Sequence, residues 1–452
     1  MERVRDMTEG KPASLIVSFA LPLMLGSIFQ HLYTLVDTAI VGRYVGVKAL
    51  ASVGAADWPS WLILGIVIGF AQGMCILIAQ RFGANDYDGM RRSVTHSYIL
   101  GLILAVFFTL IAHLTLRPML VLLKTPEETI GGTITYMRFI YSGMVVVTAY
   151  NLFSSVLRAL GDSKSPLIAM ILASVCNIAL DLLFVRVFNW GIPGAAIATM
   201  ISQILSAVYC FVVVRRIEIL KLQKDDWRID KGLMKELTKL GAPLGLQNGI
   251  IGVGGLAVQY AVNSFGFVFL AGFTASNKLY GLIEMAAVAY GFAVSTYAGQ
   301  NLGARKIHRI RQGLRAAVLI GLATSLAITV SMIFAGKSII SIFLSGEPKV
   351  IEEAMRVAYN YLLFLCVPLF ILYFLHIYRS ALQGMGDTFR PMISGFVELI
   401  MRVGVALILP RLIGENGVFL CEGAAWVGAI AILIPSYYIR IRKEGKAQLI
   451  TK

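Results

Sequence analysis

The chain has 452 residues, 58% of them apolar and only 14% charged, where a soluble chain of this size carries about 25% charged residues. With no long polar stretch, this composition excludes a soluble enzyme and describes one membrane-embedded polytopic unit. The net charge of +15 would suit a nucleic-acid binder, but no soluble basic domain exists to carry that role, and in a membrane protein the placement of charge matters more than its sum.

The start of the chain, Met1-Glu2-Arg3-Val4-Arg5-Asp6, is charged. The first apolar run is too long for a signal-peptide core and lacks a small-residue cleavage site, so no cleavable signal is expected. A helix needs about 20 apolar residues to cross the hydrocarbon core. That criterion predicts twelve spans, near 14–42, 48–80, 93–116, 130–157, 165–188, 194–215, 236–264, 267–299, 312–336, 352–378, 391–412 and 417–439. The first ends in Leu32-Tyr33-Thr34-Leu35-Val36-Asp37-Thr38-Ala39-Ile40-Val41-Gly42. A carboxylate at the bilayer centre costs about 3 kcal/mol on insertion scales, so Asp37 calls for a partner, an ion or a proton.

Lysine and arginine set the expected orientation. With a cytoplasmic N-terminus, 28 basic residues fall on cytoplasmic segments and 8 (Arg43, Lys48, Arg117, Lys124, Arg186, Lys337, Lys349, Arg411) on the other side. Both termini are therefore predicted to be cytoplasmic. The five cysteines, Cys75, Cys176, Cys210, Cys366 and Cys421, form no C-x-x-C or metal spacing and read as core thiols.

The longest polar connection, Arg215 to Lys239, falls between spans 6 and 7, giving expected domains of 1–218, a linker 219–235, and 236–452. The halves repeat. Ala20-Leu21-Pro22 recurs as Gly241-Ala242-Pro243, Gln80-Arg81-Phe82-Gly83-Ala84 as Gln300-Asn301-Leu302-Gly303-Ala304, and Gly161-Asp162-Ser163-Lys164-Ser165-Pro166 as Gly386-Asp387-Thr388-Phe389-Arg390-Pro391, at offsets of 221, 220 and 225. Six spans per half make this a parallel repeat. Such duplication is typical of secondary transporters, which bind substrate near the midplane.

Pro22, Gly26, Gln30, Tyr33, Val36-Asp37-Thr38 and Val41-Gly42, the repeated Gly-Asp-x-x-x-Pro loop, Asn177-x-x-x-Asp181 and Gly194-Ala195-Ala196-x-Ala198-Thr199 resemble the multidrug and toxic compound extrusion (MATE) transporters. The likeness runs over essentially the whole chain and looks closest to the bacterial branch named for the DNA-damage-inducible protein F. It implies an all-α fold of twelve transmembrane helices in two six-helix lobes around a central cavity. It also implies export of amphipathic, often cationic drugs by alternating access, driven by inward flow of H⁺ or Na⁺.

Depth along the predicted spans gathers a candidate coupling site. At 1.5 Å per residue, Asp37 lies roughly 8 Å, Asp181 roughly 10 Å and Tyr136 roughly 9 Å from the outer ends of their spans. Asn177 is one helical turn before Asp181 on the same face, and Thr199 lies a few residues into span 6. Oxygen ligands of this kind suit a hard cation, and two neighbouring carboxylates in low dielectric favour holding a proton. The family's N-lobe cation site matches Asp37, Asn177 and Asp181, where Na⁺ is the expected metal if a metal is the coupling ion.

The second half differs. Some family members carry a Glu in span 7 and an Asp in span 10, whereas span 7 here offers only Gln247, Asn248 and Gln259, and the interior of span 10 has no acid. Glu284, midway along span 8, is expected either to face the drug cavity with Gln247 and Gln259 or to pair across helices. Glu398 and Arg402, four apart in span 11, are expected to form a structural ion pair. Pro22 removes one helix hydrogen bond and can provide a gating bend. Without a nucleotide-binding Gly-rich loop followed by Lys-Ser/Thr, ATP is not the expected energy source. No organic cofactor and no enzymatic activity are expected.

The reading is thus a cation-coupled multidrug efflux antiporter, a monomer in a prokaryotic inner membrane, with drugs and membrane lipids as partners and no nucleic acid. The alternative is a flippase for a lipid-linked precursor, which predicts more basic residues along the groove than Lys278, Arg356 and Arg402 supply.

Overall fold

The computed structural model describes residues 4–123, 125–344 and 347–450; Met1, Glu2, Arg3, Lys124 and Lys452, which entered the reading of charge above, lie outside them. Among the described residues every regular element is helical. In chain order these are α1 (Pro12–Tyr44), α2 (Val47–Gly54), α3 (Asp57–Gly83), α4 (Tyr87–Leu122), α5 (Glu127–Ser142), α6 (Met144–Ala159) and α7 (Lys164–Asp181), which runs into a π-helical turn over Leu182–Val187. They continue with α8 (Gly191–Arg215), α9 (Lys231–Asn263), α10 (Phe267–Gly303), α11 (Ile307–Ile340), α12 (Pro348–Cys366), α13 (Leu369–Gly384), α14 (Phe389–Ile408), α15 (Pro410–Ile413) and α16 (Glu415–Ile450).

These helices account for the twelve predicted spans. Among the described residues, nine continuous stretches are long and apolar enough to cross a membrane, and two bent pairs add two more. The pairs are α5–α6, bent by 49°, and α12–α13, bent by 47°. They are spans 4 and 10, equivalent positions in the two halves. The twelfth span is α9, whose glycines and whose Gln247, Asn248 and Gln259 dilute its apolar run.

The repeat is written into the backbone. Gly46 (φ 114°) and Gly266 (φ 89°) both precede a helix, Asn85 (φ 57°) and Arg305 (φ 56°) both follow the Gly-Ala turn, and Gly161 (φ 83°) and Gly386 (φ 79°) open the two Gly-Asp loops. In each Gly-Asp loop the aspartate then caps the next helix. Asp162 accepts from the Lys164 and Ser165 N–H groups at 3.0 and 2.9 Å and from Ser165 Oγ at 2.5 Å. Asp387 accepts from the Arg390 N–H at 3.3 Å and from its guanidinium at 2.6 Å. The motif is thus a turn plus an N-cap, satisfying donors that a helix start leaves open.

The chain packs as two compact units, Met1–Met7 with Leu21–Gly249, and Thr8–Ala20 with Ile250–Lys452. The division lies inside α1, just before Pro22, and inside α9. Within the first unit, that connection is stitched to the start of α4. Arg92 pairs with Asp230 at 2.9 Å, Arg91 with Asp226 at 3.4 Å, Thr95 Oγ1 donates to the Asp226 carbonyl, and the Asp230 N–H donates to His96 Nε2 at 2.9 Å. The Asp230 carboxylate also accepts from Leu233 and Gly232 N–H. These bonds, Leu233's foremost, hold its pKa below the ordinary 3.8. A depressed carboxylate pKa means that this cap is complete above pH 3.8 and is lost only as pH falls through the lower folded value.

α3 and the first part of α9 touch backbone to backbone. A Cβ at Gly69 would sit 2.5 Å from the Leu244 carbonyl oxygen, and one at Gly73 would sit 2.5 Å from that of Leu240 and 2.6 Å from Gly241 Cα. Gly241 and Gly245 answer from α9, which makes a reciprocal small-xxx-small contact of the kind that lets membrane helices approach closely. Gly73→Val is therefore expected to destabilise the protein by about 1–3 kcal/mol, at the upper end because backbone cannot yield. Thermal unfolding of the detergent-solubilised variant, followed by size-exclusion chromatography, checks this.

Candidate functional site

In the first unit, α1 and α7 bring two carboxyl groups together inside the apolar interior. Asp37 is 5% exposed, Asn177 1% and Asp181 0%. The Asp37 and Asp181 carboxyl groups lie against one another, within hydrogen-bond reach once one carries a proton. Asn177 sits one turn before Asp181 on α7, as the spacing predicts. Asp181 is the last residue of α7, where the backbone changes from α to π geometry, a local change frequent at functional sites.

Five polar atoms here have no hydrogen-bond partner: Asp37 Oδ1, both amide atoms of Asn177 and both oxygens of Asp181. Buried polar groups are nearly always paired, and each exception calls for a proton, an ion or a water. Two carboxylates in contact also repel when both are ionised. Two acids and one amide form an oxygen-rich set that fits a proton or a hard cation such as Na⁺ and lacks the soft ligands of a transition-metal site. Among the described residues no cluster of three or more His, Cys, Asp or Glu suits a metal.

Tyr136 packs against the Ile40 and Val41 cluster of α1 and feels the charges of Asp37, Asp57 and Asp181. Thr199 donates its hydroxyl to the Ala195 carbonyl at 3.1 Å, which leaves its lone pairs as acceptors. Two further residues were not singled out by depth. Asp57, the first residue of α3, acts electrostatically on Asp37. Gln203 of α8, beside Tyr33, has a buried Oε1 with no partner. A polar residue inside span 6 was the signal that could have found it.

The second unit holds a buried charge network instead. Glu398 and Arg402 are both buried on α14, but they do not pair with each other as their i,i+4 spacing suggested. Glu398 pairs with Arg379 of α13, and Arg402 pairs with Glu422 of α16 at 2.8 Å. Both residues lie on the packed face of α14, and each meets an oppositely charged side chain on a different neighbouring helix. Arg379, counted from sequence as a cytoplasmic loop residue, is buried within α13. Glu284 of α10 faces His376 Nε2 of α13 at 3.5 Å and is 32% exposed, so it pairs across helices. Arg356 pairs with Glu415 at 2.6 Å.

Of the remaining predicted residues, Pro22 lies within continuous α1, Gln247 is buried and Gln259 is half-buried. All five cysteines are free thiols.

Twelve spans in two repeated halves, with ionisable groups held inside them, follow the plan of a membrane transporter. The sequence profile of the MatE family matches residues 22–183 and 243–408, one block in each half. The chain belongs to that family, the multidrug and toxic compound extrusion transporters, and is a multi-pass membrane transporter rather than an enzyme. Among curated relatives, the probable multidrug resistance protein YpnP of Bacillus subtilis is 33% identical over 300 residues, 66% of this chain and 67% of that protein. The probable multidrug resistance protein YoeA of the same organism is 28% identical over 447 residues, 96% of this chain and 95% of that one. Among solved structures, MATE in the bent conformation superposes with a TM-score of 0.90 at 24% identity, covering 99% of both chains. The outward-facing conformation of a multidrug resistance MATE family transporter of the MOP superfamily gives a TM-score of 0.90, also at 24% identity and 99% of both chains. These structures share the fold.

Proposed function

We propose that the chain is a cation-coupled antiporter that exports amphipathic, often cationic drugs, with both termini in the cytoplasm of a prokaryote and the helices in its inner membrane. The observation that carries the reading is the group of five unpartnered polar atoms around Asp37, Asn177 and Asp181. Two touching acids inside a bilayer are stable when a proton or Na⁺ relieves their repulsion. In the proposed cycle, H⁺ or Na⁺ enters this site from outside, with Tyr136 and Thr199 as auxiliary oxygens. The bend of α1 at Pro22 responds, drug affinity falls, and drug leaves on the outer side. The ion is then released inward when the transporter changes the side it faces. Within the second unit, Glu284, which also faces His376, attracts the cationic part of the drug, and Gln259 offers it a hydrogen bond.

The relatives named multidrug resistance proteins support drugs as the substrate class. The test is ethidium retention in cells that lack their own efflux pumps and express this chain. Retention is expected to fall while ion gradients are maintained and to return to control when they are collapsed. Retention unaffected by expression would remove the reading.

A further inference from the structure

The first unit contains a cavity of about 690 Å³, walled by α4, α6 and α8 and closed at one end by the connection that follows α8. Its walls are apolar, and it lies apart from the acid site, which α1 and α7 form. No carboxylate lines it. It is continuous with side chains that face the membrane: Leu102 is 55% exposed and Phe211 40%. Two cations, Arg215 and Lys221, stand among the lining residues beside Trp227, an aromatic of the type that settles at the membrane–water interface.

Neither cation is neutralised by a buried partner. Arg215 lies over the Phe211 ring at 5.7 Å. Lys221 meets Glu218 at 3.4 Å, but both side chains are strongly exposed, and such a pair holds little.

We propose that this cavity is a binding site for an anionic phospholipid of the cytoplasmic leaflet, with an acyl chain lying along α4, α6 and α8 and the phosphate against Arg215 and Lys221. The charge selects the occupant. A cationic drug would meet two like charges at the entrance, whereas the cytoplasmic leaflet is the one rich in anionic lipid. The bound lipid would brace the connection that leads into α9 and tie its position to the lipid surface. Ion coupling at Asp37 does not depend on this site, so failure here leaves that reading standing.

Native mass spectrometry of the full chain, released from micelles holding equal amounts of phosphatidylglycerol and phosphatidylcholine, tests the proposal. The expected first-bound lipid is phosphatidylglycerol, favoured by about fivefold for each basic side chain. R215Q/K221Q is expected to bind the two lipids equally. Ala149→Phe, which fills the cavity away from the charges, is expected to lose the tightly held lipid while its thermal unfolding stays that of the parent. Equal retention of both lipids by the parent chain, or an undiminished preference in R215Q/K221Q, would overturn the proposal, as would ethidium displacing the lipid from the parent chain.

Discussion

Asp37→Asn is expected to abolish uphill drug export without loss of folded protein. Asparagine keeps the shape of the side chain but neither takes up a proton nor offers a charge to Na⁺. The contact with Asp181 would then lose the repulsion that a cation relieves. One charge moving down 100 mV supplies about 2.3 kcal/mol, which sustains roughly a fifty-fold gradient of an uncharged drug; the variant should lose all of it and equilibrate such a drug at unity. Its thermal stability should equal or exceed that of the parent, because an uncompensated buried acid has been removed. Drug accumulation ratio and unfolding temperature, measured on the same preparation, separate this from misfolding. A variant that exports normally would remove Asp37 from the mechanism.

Arg379→Met is expected to have the opposite profile, with stability collapsing before function can be read. Arg379 and Glu398 are paired and buried, so deleting the cation leaves a carboxylate uncompensated in a low-dielectric interior, at a cost of about 3–5 kcal/mol. Replacing both partners, R379M/E398L, should recover most of that loss, since a well-packed apolar pair is about neutral relative to a buried ion pair. Thermal unfolding of parent, two single variants and the double variant forms the cycle that measures the coupling. An R379M protein as stable as its parent would mean that the pair contributes nothing.

These two sites differ in how far they were legible in the sequence. Asp37, Asn177 and Asp181 could be placed together because each span has a known length and direction, so depth is read by counting residues. The same counting located the twelve spans and the repeated turns. It could not find the partners of Glu398 and Arg402. Local helix spacing pointed to each other, but the true partners lie 19 and 20 residues away along the chain, and only the rotation of α13, α14 and α16 about their axes decides which side chains meet. Arg379 misled for the same reason, being near a predicted span end yet turned into the protein. The Gly-Asp-x-x-x-Pro motif was visible as a repeat, while its role as a helix cap needed the positive φ of Gly161 and Gly386. The division of the chain inside α1 and α9 left no composition signal, since it follows from packing rather than polarity.

The central claim, that an ion gradient drives drug across the membrane through the Asp37–Asp181 pair, is tested most directly in proteoliposomes. Purified protein is reconstituted, a pH gradient or a Na⁺ gradient is imposed alone in the absence of ATP, and ethidium movement is followed. The account predicts that one of these gradients drives ethidium uphill, opposite to the ion, in the parent and not in Asp37→Asn. Ethidium movement that follows neither gradient, or that is the same in parent and variant, would contradict it.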